Sequence, residues 1–205
     1  MSHEPQHLLT VLFLVPLIGT LAIACLPETA ARKLAIAFSS VMCGLSVWLL
    51  SQFNLETAAE FQFVEKMPWL TQPFPVQYFV GVDGMSLSLV VLTAFITLMS
   101  TLASTSIGDN RPRLYYSMLM LLIFSVQGVF LSLDLLQFFV LYEMELVPMY
   151  FLIAIWGGPR RSRAALKFLI YTFFGGILML AGLVYMYTQM GVGAGGMGTF
   201  DMTEL

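Results

Sequence analysis

Glu143 and Glu145 interrupt an apolar run, Leu135–Trp156, near its middle. In a helix, with a rise of 1.5 Å per residue, Glu143 lies ~12 Å and Glu145 ~15 Å from the start of that run. An ionisable group at such a depth in hydrocarbon costs at least about 2.5–3.5 kcal/mol unless it is neutral, paired or hydrated. Burial disfavours the charged form of a carboxyl, and a neighbouring cation favours it. A carboxyl balanced between the two can load and release a proton near neutral pH, which is the chemistry of a proton pathway. The two glutamates stand two positions apart, ~200° around a helix, so they face different partners. Pro148 has no N–H, so it frees the carbonyl of Met144 and weakens the backbone beside them. Such a place suits a bend or a bound water. The plainer alternative is that either glutamate bonds a neighbouring helix. Lys167 is the third candidate. It lies about one turn inside the next apolar run, where it can relay a proton or snorkel to the membrane surface as an anchor. Gln127, Ser125, Gln137 and Thr172 can line a wet path or simply hydrogen-bond between helices.

Other chemistries lack their residues. Cys25 and Cys43 form no C-x-x-C pair, so iron–sulfur and structural zinc sites have no ligand set. His3 and His7 precede the first apolar run, which excludes a haem held between helices by histidine. Cys25 follows an apolar stretch, but no Lys or Arg precedes that stretch, so the basic start of a signal peptide is missing. Gly191-Val192-Gly193-Ala194-Gly195-Gly196 fits G-x-G-x-x-G, yet a dinucleotide fingerprint needs a strand before it. Here an apolar helix-length run precedes it, and the glycines read as a flexible loop.

The elements that must position these residues follow from composition. Of 205 residues, 59% are hydrophobic and 10% charged, against roughly 45–50% and about 25% in soluble domains. A mean hydropathy of +0.85 agrees. A soluble globule and a disordered chain are both excluded. The net charge of −3 argues against a nucleic-acid partner. The chain reads as an integral membrane protein, all-α, a polytopic helix bundle in the bilayer.

Six runs reach the ~20 residues that cross about 30 Å of hydrocarbon: Leu8–Leu26, Leu34–Phe53, Met85–Ile107, Leu114–Leu131, Leu135–Trp156 and Ala165–Met190. They form a single membrane domain over residues 1–205, with one long loop, 54–84, and a Gly-rich end, 191–198. Partial alternation at Phe61-Gln62-Phe63-Val64 suggests a short strand or hairpin in the loop. Arg32, Lys33, Arg111, Arg113, Arg160, Arg161, Arg163 and Lys167 fall on one side, and Lys66 alone on the other. The positive-inside rule then places the odd-numbered connections in the cytoplasm, with the 54–84 loop and both termini outward.

Tyr142-Glu143-Met144-Glu145-Leu146-Val147-Pro148-Met149-Tyr150, continuing through Trp156-Gly157-Gly158 to Ala164-Ala165-Leu166-Lys167-Phe168, resembles the chain M (subunit 4) family of proton-translocating NADH–quinone oxidoreductase, respiratory complex I. Val80-Gly81-Val82-Asp83-Gly84-Met85-Ser86-Leu87 resembles the same family's entry into its third helix. The resemblance runs over essentially the whole chain. It implies the first part of an antiporter-like fold, in a bacterial inner membrane or an equivalent energy-converting membrane. It implies no cofactor in this chain, with flavin and iron–sulfur clusters in partner subunits. The implied partners are the other membrane subunits and the lipid bilayer. In that family a helix-five glutamate pairs with a helix-seven lysine, and further lysines continue a hydrated path. Glu143 stands at the glutamate position and Lys167 at a basic position opening helix six, while Glu145 matches some members only. The family subunit has about fourteen helices in two inverted repeats, so six are expected to be part of a longer or split subunit. A chain of a multisubunit sodium/proton antiporter is the alternative reading, and a non-transporting membrane scaffold is a third.

Overall fold

A computed structural model describes residues 7–70, 76–104, 110–194 and 198–203. The first helix, α1, is Leu8–Cys25, and the chain turns extended at Leu26, ahead of Pro27. α2, Glu28–Gln52, opens directly at Pro27 with Glu28 in its first turn, where a carboxylate suits the positive end of the helix. It thus starts six residues before the apolar run at Leu34. Arg32 and Lys33 are good helix formers, so the helix runs through them although the hydrophobic signal does not.

The 54–84 loop holds a hairpin. β1, Gln62–Leu70, pairs antiparallel with β2, Val76–Val82, with Glu65 opposite Val80 and Met67 opposite Tyr78. α3, Gly84–Ala103, begins in a capping box: Ser86 N–H donates to Asp83 Oδ1 at 2.7 Å, and Asp83 N–H donates to Ser86 Oγ at 2.9 Å. It ends at Ala103, short of the expected Ile107, and residues 105–109 lie outside the described residues. α4, Pro112–Leu131, takes Pro112 at its start, where a missing N–H does no harm.

The fifth span, Leu135–Trp156, divides into α5, Leu135–Met144, and α6, Leu146–Trp156. The last helix, α7, Arg161–Ala194, exceeds the expected Ala165–Met190 at both ends. Its arginines are helix formers at the start, and Gly191 and Gly193 continue the helix rather than opening a loop. Gly195 and Gly196 lie outside the described residues. Among the described residues, six helical segments are therefore long and apolar enough to cross a membrane. The chain is a multi-pass integral membrane protein, with its two strands outside the spans.

α1 packs on α4 at Gly128, where a Cβ would stand 2.7 Å from a Leu141 methyl of α5. Without a side chain there, three helices meet closely, which is how small residues hold membrane helices together. Leu9, Leu12, Met42, Leu49, Val90 and Leu131 fill the buried centre. α7 is peripheral. It packs mainly on α6 and turns Tyr171, Phe174 and Leu178 outward.

Polar contacts gather the connections at two ends. At one end Glu65 accepts from the Leu9 amide at 3.0 Å, Leu133 N–H donates to the Phe79 carbonyl at 2.8 Å, and Met202 N–H donates to the Leu133 carbonyl at 2.9 Å. The start of α1, the hairpin, the α4–α5 turn and residues 198–203 thus share that end. At the other, Trp156 Nε1 donates to the Asn110 carbonyl at 2.8 Å.

Candidate functional site

Glu145 joins α5 to α6 with φ −65° and ψ −24°, so the chain keeps a helical course through the break. Glu145 N–H donates to Leu141 at 3.3 Å, and Met149 N–H donates to Glu145 at 3.2 Å. The bond missing between them is the one Pro148 cannot donate to the Met144 carbonyl. The weak point falls among the glutamates because the proline stands three residues after Glu145.

Glu143 faces α7. Its Oε1 is buried and has no hydrogen-bond partner among the described residues. A Cβ at Gly176 would overlap that oxygen and stand 2.7 Å from Glu143 Cδ, so the carboxyl lies against the bare backbone of α7. Glu143 also lines a groove of about 420 Å³ between α6 and α7, with Leu146, Val147, Leu169, Ile170 and Phe173. Glu145 points ~200° away. It lies within ~40° of Leu141, the residue packed on Gly128 of α4, so it serves the opposite side of the helix. The two carboxyls are half-buried and separately placed.

Lys167 is exposed and makes no ion pair with a described residue. It precedes Gly176 by nine positions, ~13.5 Å along α7 and ~180° around it. The structure therefore does not bring Lys167 to Glu143. Nor do the other polar candidates converge on it. Gln127 donates to the Val90 carbonyl at 3.5 Å, Gln137 accepts from Phe79 N–H at 2.9 Å, and Ser125 and Thr172 bond carbonyls of their own helices.

The position of Glu143 along its span is set from the start of α5. Asp134 caps α5, accepting from the Leu136 and Gln137 amides at 2.9 Å each, and from the Gln77 amide of β2 at 3.4 Å. Burial pushes the Asp134 carboxyl above the usual carboxylate range against those hydrogen bonds, with nearby Asp201 adding to the rise. The cap ties the hairpin to α5, and the Leu135 N–H donating to the Phe200 carbonyl at 2.8 Å adds residues 198–203, so α5 starts from a fixed level. Sequence reasoning missed this cap and missed Gly176. The signal for the second was a Gly-Gly pair inside a helix-length apolar run, a poor helix former where nothing local calls for one. Among the described residues, no three His, Cys, Asp or Glu side chains gather as a metal set.

Residues 7–133 match the family described as NADH-ubiquinone oxidoreductase chain 4, amino terminus. The chain belongs to the NADH–quinone oxidoreductase chain 4 family. Residues 132–204 match a second description, NADH:quinone oxidoreductase/Mrp antiporter, transmembrane. Among members of the chain 4 family, an NAD(P)H-quinone oxidoreductase chain 4 of Thermosynechococcus vestitus is 39% identical over 85% of this chain and 33% of its own length. One from Trichormus variabilis is 38% identical over 96% of this chain and 36% of its own. The chain thus spans about a third of the length of these curated relatives. Respiratory complex I from Thermus thermophilus holds a chain that superposes with a TM-score of 0.76 at 23% identity, covering 89% of this chain and 36% of that one. The Mrp complex of Dietzia sp. DQ12-45-1b holds one with a TM-score of 0.70 at 20% identity, covering 93% and 20%. These two likenesses establish a shared antiporter-like fold.

Proposed function

We propose that this chain is an antiporter-like, proton-translocating membrane subunit of NADH–quinone oxidoreductase, acting in an energy-converting membrane. Electron transfer in partner subunits, which carry the flavin and iron–sulfur clusters, drives proton movement through the membrane part. The observation that carries the reading is Glu143: an ionisable group deep in a span, one oxygen buried and without a hydrogen-bond partner among the described residues, bordering an apolar groove between α6 and α7. Such a group is costly unless it is neutral, paired or hydrated, and its presence in a span marks a functional position. Family membership supports the enzyme complex and its other membrane subunits as partners. Glu145, facing the α4 side, is a secondary group. Lys167, exposed and on the far face of α7, serves as an anchor or as an entry point on the basic side, with no direct transfer to Glu143.

The test is proton pumping and quinone reduction in the assembled complex. Glu143→Gln is expected to remove most proton translocation while the complex still assembles, and Glu145→Ala to have a smaller effect. Pumping at the wild-type level in Glu143→Gln would refute the assignment. Co-purification with flavin and iron–sulfur subunits separates this reading from a sodium/proton antiporter chain.

A further inference from the structure

We propose that Gly176 of α7 is a positioning residue for Glu143, holding its carboxyl in a dry contact that a side chain at 176 would abolish. The inference rests on Glu143 as the proton-carrying group, but the contact itself can be read without proton movement.

α7 carries two adjacent glycines whose surroundings differ completely. Gly176 is buried, and a methyl there would occupy the place of Glu143 Oε1. Gly175 is exposed, and a methyl there would meet nothing within 4 Å. Glycine is a poor helix former, so a glycine inside a long membrane helix calls for a packing reason, and of these two Gly176 has one and Gly175 does not. Ala165, Gly176 and Leu183 are the buried positions on this part of α7, spaced by 11 and 7 residues, which places them on one face. Gly176 is the gap in that face, and the Glu143 carboxyl fills it. One carboxyl oxygen is thereby kept from water and from any donor among the described residues. With a methyl at 176 the carboxyl must leave the contact, and the free space beside it is the groove lined by Leu146, Leu169 and Phe173. Gly176 thus decides whether Glu143 rests against α7 or swings into the groove.

The experiment compares Gly176→Ala with Gly175→Ala in the full chain, in its membrane complex. The readout is the carboxylic-acid C=O infrared band of Glu143, assigned by its loss in Glu143→Gln, alongside thermal stability and the pH profile of proton translocation. Gly176→Ala is expected to shift the band, lower the stability and alter the pH profile. Gly175→Ala is expected to leave the band and the profile in place and to hold or raise stability. In a Glu143→Asp background, whose carboxyl is one methylene shorter, Gly176→Ala is expected to shift the band and lower the stability much less. If Gly176→Ala alone fails to accumulate, the double variant should recover, and failure of both overturns the proposal. An unmoved band in Gly176→Ala, or equal shifts in the two alanine variants, also overturns it. A shifted band with unchanged pumping upholds the contact and instead removes Glu143 from the proton path.

Discussion

Lys66 Nζ of β1 lies 2.7 Å from Asp201 Oδ2, an ion pair that joins the hairpin to a segment 135 residues further along the chain. Asp201 is buried and Lys66 is half-exposed, standing 4.7 Å over the Phe79 ring. Lys66, the one Lys or Arg of the 54–84 loop, is therefore used to tie that loop to residues 198–203.

That pair has a pH signature. Burial opposes ionisation of Asp201, but hydrogen bonds from Lys66 and Thr203 outweigh it and hold the carboxyl below its usual range. The native state thus binds this proton less tightly than the unfolded chain. The stability it contributes is present above the unfolded value of about 3.9 and is lost as pH falls through the lower native value. Lys66→Met is expected to cost about 1–3 kcal/mol at pH 7, measured by unfolding in detergent. The difference from wild type should shrink below pH 4.

Asp134 behaves with the opposite sign. Its carboxyl is raised by burial, so the native state holds the proton more tightly than the unfolded chain does. The contribution is full below about 3.9 and is lost as pH rises through the raised native value. Asp134→Asn, which keeps an acceptor for the α5 amides, is expected to flatten that limb of the stability curve. Asp134→Ala removes the cap and is expected to cost about 1 kcal/mol, seen as a lower unfolding midpoint.

Glu65 ties the hairpin to the first helix. It accepts from the Leu9 amide at 3.0 Å, from the Thr10 amide at 3.4 Å and from the Thr10 hydroxyl. A carboxylate there satisfies orphan donors at the positive end of α1. Glu65→Ala is expected to speed hydrogen exchange at the Leu9 and Thr10 amides about tenfold, equivalent to about 1.4 kcal/mol. Unchanged exchange would mean that the helix start is held by other contacts.

The topology is open to labelling. With Cys25 and Cys43 replaced, single cysteines at His7 and Ser162, both exposed, are expected to react from opposite sides of the membrane. Ser162→Cys should be cytoplasmic and His7→Cys outward. Reaction of both from one side would refute the arrangement.

Much of the architecture was legible because hydropathy reports directly on the membrane. Leu135–Trp156 was readable as one span with a weak point, since Pro148 removes a known hydrogen bond wherever the helix sits. The starts of α2 and α7 were not, because Arg32, Lys33, Arg161 and Arg163 end an apolar run without ending a helix. The hairpin showed only as a few alternating residues, and its register, Glu65 against Val80, arose from pairing with a distant strand. Lys167 was readable as a basic residue near a membrane surface, too shallow along its span to reach Glu143, yet the face of α7 it takes relative to Glu143 depended on how α7 lies against α5.

The sequence by itself determined that this chain crosses a bilayer six times, which end carries the cations, and that Glu143 sits deep. Those properties add up along a single strand of chain: ~20 apolar residues per span, 1.5 Å per residue, charges counted loop by loop. Only the tertiary structure decided what Glu143 meets. A helix specifies the angle between its own residues, ~100° per position, but not which neighbour lies on a given face. That choice came from packing between helices distant in sequence, where Gly128 draws α1, α4 and α5 together and Gly176 lets α7 close over the carboxyl. Close approach between helices depends on the side chains on both sides of the contact, and the sequence of one helix holds only half of them.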